Sequence, residues 1–230
     1  MHEIDMQSDS RPANAGQLGA TNPRLEKFFA RVAPMRGRLI IAIDATASRQ
    51  PTWDMASKLQ GEMFKVVAAI GGLDVQLVYY HDLAQCVSSR WLSDPGELTR
   101  IMRSVFCVPG PTQIGRVLRH AREENRREKV NSIAVISDAC EEPPGALYDA
   151  ARTLGMPAFF FQEGDDAGVG SIYAEIARLT NGAVARFDAG AAGRLSDLLR
   201  AVAAFAAGGV KALAAQHTEA ATLLLTQIKR

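Results

Sequence analysis

Arg38-Leu39-Ile40-Ile41-Ala42-Ile43-Asp44-Ala45-Thr46-Ala47-Ser48 decides how the chain folds: an apolar run halts at a carboxylate, and hydroxyls follow at every second position. Residues 39–43 carry almost no polarity, the signature of a strand buried on both faces of a parallel sheet. Asp44 then falls at the carboxyl end of that strand, where open α/β sheets bind their ligands. In an extended loop alternate residues point the same way, so Asp44, Thr46 and Ser48 can aim their oxygens at one point. Carboxylate and hydroxyl oxygens are hard donors, suited to Mg²⁺, Mn²⁺ or Ca²⁺ rather than zinc. Asp, Thr and Ser after a strand are also ordinary turn and N-cap chemistry, and this stretch alone leaves both readings open.

The pattern returns downstream. Asn131-Ser132-Ile133-Ala134-Val135-Ile136-Ser137-Asp138 is a second apolar strand ending in an aspartate. Between the two, Pro51 opens a helix with apolar positions Met55, Leu59, Met63, Val66, Val67 and Ile70, closed by Gly71-Gly72. Asp74 to His81 and Ala84 to Leu92 read as strands with a brief break, a hairpin that makes one sheet edge antiparallel. Asp94-Pro95-Gly96-Glu97 opens a short helix through Val105. In Cys107-Val108-Pro109-Gly110-Pro111-Thr112 the prolines and glycine shape a loop, and Thr112 stands where the next helix begins.

After Asp138 the alternation continues. A helix carries Leu147 to Leu154, a strand Pro157 to Gln162, a helix Ile172 to Leu179, a strand Ala183 to Phe187 and a closing helix Leu195 to Phe205. Strands alternating with helices imply a doubly wound α/β sheet, mostly parallel with one antiparallel edge strand and helices on both faces. Residues 1–21 have no periodicity and read as a disordered lead-in. A domain over 22–207 begins with a short helix on Pro23, and 208–230, set off by Gly208-Gly209, forms a C-terminal helix.

Bulk properties narrow the function. A net charge of +1 over 230 residues gives no electrostatic case for nucleic acid or an anionic membrane. No run reaches the roughly 20 apolar residues of a membrane helix, and the polar, acidic start lacks a signal-peptide core. Cys86, Cys107 and Cys140 are widely spaced, which argues against a zinc site or a disulfide framework and for reduced, mostly buried thiols in a cytoplasmic protein. His81 reads as a local hydrogen-bonding residue, and Trp53 and Trp91 as packing residues. Gly164 to Gly170 lacks the full dinucleotide fingerprint, and neither a phosphate-binding P-loop nor Gly-x-Ser-x-Gly occurs.

Asp44-Ala45-Thr46-Ala47-Ser48, Thr112 in its Pro-Gly-Pro-Thr loop and Asp138 after Ile136-Ser137 together resemble the von Willebrand factor A-type (VWA) domain, over about residues 36–207. Among VWA proteins the chain resembles the bacterial-type, single-domain cytoplasmic members. In that family D-x-S-x-S, a distant threonine and a distant aspartate form a metal-ion-dependent adhesion site (MIDAS). The resemblance implies a Rossmann-like fold and a Mg²⁺ ion, or Mn²⁺ or Ca²⁺, held by Asp44, Thr46, Ser48, Thr112 and Asp138. Thr46 and Ser48 would bind directly, Thr112 directly or through water, and Asp44 and Asp138 largely through water. The ion would keep one position open for an Asp or Glu of a protein partner, giving cation-dependent recognition rather than turnover. Thr46 departs from the usual serine, keeping the oxygen but stiffening χ1, and Ala139 stands where glycine is common.

Two other functions compete. A Mg²⁺-dependent phosphohydrolase of the haloacid dehalogenase type also places an Asp nucleophile after its first strand. Its second motif aspartate would fall at Thr46, which removes the general acid, and Glu141 and Glu142 are poor substitutes for its later acidic pair. A metal-free scaffold would instead bind through the C-terminal helix or the Phe28/Phe29 region.

Overall fold

The computed structural model describes residues 36–46, 50–54, 56, 72–82, 85–188 and 191–228, all within the unit Pro34–Arg230. Ser48, the lead-in, the helix expected on Pro23 and most of the helix expected between Pro51 and Ile70 lie outside them; residues 50–54 and 56 are helical.

Six strands form one sheet: β1 (Gly37–Asp44), β2 (Leu73–His81), β3 (Gln85–Ser88), β4 (Ser132–Ser137), β5 (Ala158–Glu163) and β6 (Ala183–Phe187), in the order β3-β2-β1-β4-β5-β6. All neighbours are parallel except β2 and β3. This is the mixed, doubly wound sheet with one antiparallel edge that the alternation predicts. The winding reverses between β1 and β4, and the crevice at their carboxyl ends is where such sheets bind ligands.

Six described helices cover the faces: α1 (Pro95–Arg103), α2 (Ile114–Arg127), α3 (Pro144–Arg152), α4 (Ala167–Leu179), α5 (Ala192–Ala214) and α6 (Glu219–Ile228). β1 is buried along its whole length, and its alternate residues feed two cores. Leu39, Ile41 and Ile43 pack with Leu198, Val202 and Phe205 of α5 and Met102 of α1. Ile40 and Ala42 pack with Val117 and Leu118 of α2, Leu147 of α3 and Tyr173 of α4. Burying both faces is what lets so apolar a strand exist in a folded chain.

Three elements differ from the sequence reading. The strand expected to reach Leu92 ends at Ser88, followed by a single antiparallel bridge between Val75 and Leu92. The cause is Ser89, whose Oγ accepts from the Leu77 N–H and donates to the Arg90 carbonyl, so a side chain replaces a rung of the ladder. α2 begins at Ile114 rather than Thr112, because the Thr112 hydroxyl is engaged elsewhere. The closing helix runs past Phe205 and breaks where Gly209 takes φ 66°, at the expected Gly208-Gly209 boundary, but helix resumes to Ala214 and the turn into α6 comes later, at His217.

No single described helix is long and apolar enough to cross a membrane; α5 and α6 meet at 91°, and the apolar side of each is buried in the core. α6 packs on α5 and β6 through Ala220, Ala221 and Leu224. The three cysteine side chains are half-buried, more exposed than expected.

Candidate functional site

Register alone assembles a polar row across the carboxyl end of the sheet. Asp44 pairs with Tyr80, the pairing of Ile43 with Ile136 sets Ser137 beside Asp44, and Ser137 pairs with Gln162. Period-two alternation turns these side chains to the face shared with α2, α3 and α4.

Asp44 is 1% exposed. Its Oδ1 accepts from the Thr46 N–H at 2.8 Å and its Oδ2 from the Ser137 hydroxyl at 3.1 Å. The buried Tyr80 hydroxyl donates in turn to Ser137 Oγ at 3.2 Å. Burial pushes the Asp44 carboxyl above the usual aspartate range; the Thr46 hydrogen bonds oppose the rise and the charge on Asp138 adds to it. A second buried phenol steadies the next loop, where Tyr173 donates to the Ala139 carbonyl at 2.6 Å.

A cleft of about 260 Å³ opens over this row, lined by Asp44, Thr46, Pro109, Gly110, Thr112, Asp138, Ala139 and Glu141. The structure therefore brings together Asp44, Thr46, Thr112 and Asp138 of the predicted set; Ser48 lies outside the described residues. Among the described residues, no three His, Cys, Asp or Glu side chains converge closely enough to hold an ion by themselves.

The loop carrying Thr112 is fixed from several sides. The Val108 N–H donates to the Ala45 carbonyl at 3.0 Å, tying the loop to the end of β1. Gly110 lies against the β2–β3 turn so closely that a Cβ there would meet Asp82 N at 2.5 Å. Buried Gln113 donates through Nε2 to the carbonyls of His81, Asp82 and Gln85. Thr112 and Glu141 exchange hydrogen bonds: the Thr112 N–H donates to Glu141 Oε2 at 2.8 Å, and the Glu141 N–H donates to Thr112 Oγ1 at 3.0 Å. The Glu142 carboxylate accepts from the N–H groups of Ile114 and Gly115, capping α2 from the loop after β4. Burial, outweighing these two donors, raises the Glu142 carboxyl above its usual range.

Sequence reasoning missed Ser137, Tyr80, Gln113 and Glu141. Ser137 carried a signal, since it directly precedes Asp138 in a strand whose register follows from the apolar pattern. Gln113 and Glu141 act across loops, and nothing in their local sequence announces it. His81 makes no side-chain hydrogen bond of the expected kind among the described residues; it stacks on Tyr79 at 5.9 Å between ring centroids. Trp53 is a core residue that donates to the Met102 carbonyl, and Trp91 packs under Arg38.

No protein-family model matches the chain, and no curated protein matches it. Solved structures do. The VWA domain of SpRpn10 superimposes with a TM-score of 0.55 at 12% identity, covering 71% of this chain and 95% of that one. The pilus adhesin SpaC of Lactobacillus rhamnosus GG, in its open conformation, gives 0.56 at 9% identity over 75% of this chain and 30% of the adhesin. A variant of the PilB minor pilin from Streptococcus sanguinis gives 0.57 at 11% identity over 74% of this chain and 61% of the pilin. The chain thus spans nearly all of the first and under a third of the second. At these identities the likeness establishes the fold, and the fold is VWA-like.

Proposed function

We propose that the chain is a protein-interaction module presenting a divalent cation, Mg²⁺ or else Mn²⁺ or Ca²⁺, to an Asp or Glu side chain of a protein partner. The observation carrying this reading is the convergence of Asp44, Thr46, Thr112 and Asp138, from three remote segments, on one cleft at the switch point of the sheet. Every donor is a hydroxyl or carboxylate oxygen, which fits a hard cation. Thr46 and Thr112 would offer hydroxyls, with Ser48 completing the set. Both Asp44 oxygens already accept hydrogen bonds, which favours holding the ion through water over direct contact. When bound, the cation would supply an electrophilic point for a carboxylate. Among structures of like fold SpaC is a pilus adhesin, and a binding role of that kind is what we carry over.

Binding is favoured over turnover by the state of Asp44. A nucleophilic carboxylate must expose an oxygen to its substrate. Asp44 is buried with both oxygens engaged, and Thr46 stands where a phosphohydrolase would need its general acid.

Calorimetric titration of Mg²⁺ and Mn²⁺ into wild type, Asp44→Ala and the less buried Asp138→Ala tests the cation. Heats in wild type that vanish in folded Asp138→Ala support the reading, and equal heats in all three proteins overturn it. Hydrolysis of p-nitrophenyl phosphate that disappears in Asp44→Asn would instead make the chain an enzyme.

A further inference from the structure

Resting on that reading of the cleft, we propose that Glu141 is a positioning residue for Thr112 and a third source of the cleft's negative charge. The geometry is reciprocal. Two backbone N–H groups, 29 residues apart, are each answered by the other residue's side chain. This is the logic of a capping box, built across two loops instead of within one helix turn. It spends one lone pair of Thr112 Oγ1 on the Glu141 N–H and so fixes which way the hydroxyl turns. Rotating the Thr112 hydroxyl away would strand the Glu141 N–H, and moving the Glu141 carboxylate away would strand the Thr112 N–H.

The neighbouring glutamates divide the work. Both Glu142 oxygens are committed to the first turn of α2. Glu141 commits only Oε2, to Thr112; its exposed carboxylate has no ion pair among the described residues and lines the same cleft as Asp44 and Asp138. Two carboxylates would balance a divalent cation, and a third leaves an excess negative charge. The third charge strengthens retention of the cation and weakens its pull on an incoming carboxylate. Glu141 therefore sets the balance between holding the ion and presenting it.

Two substitutions in the full chain separate positioning from charge. Glu141→Gln keeps an oxygen for the Thr112 N–H and removes the charge, whereas Glu141→Ala removes both. Mn²⁺ binding should weaken by about three- to tenfold in Glu141→Gln, the scale of one unit charge across a solvated cleft, and further in Glu141→Ala. Acetate added to the Mn²⁺-loaded protein, followed by water-proton relaxation, should bind more tightly to Glu141→Gln than to wild type. Hydrogen exchange at the Thr112 amide should match wild type in Glu141→Gln and quicken in Glu141→Ala. Equal Mn²⁺ and acetate affinities for wild type and Glu141→Gln overturn the charge role, and unchanged Thr112 exchange in Glu141→Ala overturns the positioning role. A wild type that takes up no Mn²⁺ removes the cation reading and the charge role together, and Thr112 exchange then decides the positioning role alone.

Discussion

The side-chain amide of Gln227 closes the outer edge of β6 as another strand would. Its Oε1 accepts from the Val184 N–H at 2.9 Å, and its Nε2 donates to the Val184 carbonyl at 2.9 Å. An open strand edge invites pairing with another chain, and proteins cover such edges. Gln227→Ala should cost about 1–2 kcal/mol for the pair of hydrogen bonds, read as a lower urea midpoint. It should also make sedimentation concentration-dependent as the bare Val184 groups recruit a second copy. A monomeric variant with an unchanged midpoint would show that the amide is not needed at this edge.

Gly110 fixes the distance between the cleft loop and the β2–β3 turn. A Cβ at this position would stand 2.5 Å from the nitrogen and 2.6 Å from the oxygen of Asp82, backbone atoms that cannot rotate away. Gly110→Ala should therefore destabilise the fold by about 1–3 kcal/mol, the usual cost of overpacking. The displaced loop should also weaken cation uptake at Thr112. Urea denaturation and a Mn²⁺ titration on the same protein measure both, and a wild-type profile in each would mean that the turn yields freely.

Glu142 supplies from outside the cap that α2 lacks within. Gln113 at the helix N-cap makes no side-chain capping bond, while the Glu142 carboxylate takes the N–H groups of Ile114 and Gly115. Glu142→Ala leaves those donors unanswered at a half-buried helix start, an expected loss of about 1–2 kcal/mol. Amide exchange at Ile114 and Gly115 should quicken more than at mid-helix Leu118. Uniform exchange along α2 would argue against the cap.

The sheet and its switch point were legible because they rest on long-range regularities of the chain. Short, β-branched apolar runs such as Leu39–Ile43 and Ile133–Ile136, flanked by polar and turn residues, read as buried strands, and the aspartates that follow them mark the carboxyl edge. Four cleft residues followed from the same logic, since Asp44, Thr46 and Asp138 follow strand ends and Thr112 closely precedes a helix. What escaped reading depends on pairs that meet only in the fold. Gln113 bonds three carbonyls of the β2–β3 turn, and Glu141 exchanges bonds with Thr112, although neither has a local signature. Ser89 ended β3 early through a side-chain bond that propensity does not encode.

Midway along β2, half-buried His120 on α2 donates through Nε2 to Gln76 Oε1 at 2.9 Å, beside Glu124 and Arg127. Burial holds its pKa below the ordinary value of 6.5, and Arg127 lowers it further against the pull of Glu124. Between the native and unfolded values the unfolded chain carries a proton that the native chain refuses, so stability increases with pH across that window and is lost as pH falls from 6.5. Glu124 sheds stability in a separate, more acidic window. Burial would raise its carboxyl, but the Trp91 hydrogen bond and the charges of His120 and Arg127 prevail and hold it below 4.5. Urea midpoints measured from neutral pH down to about pH 5 should therefore decline in wild type and flatten in His120→Gln. Parallel slopes for the two proteins would assign the acid sensitivity to other groups.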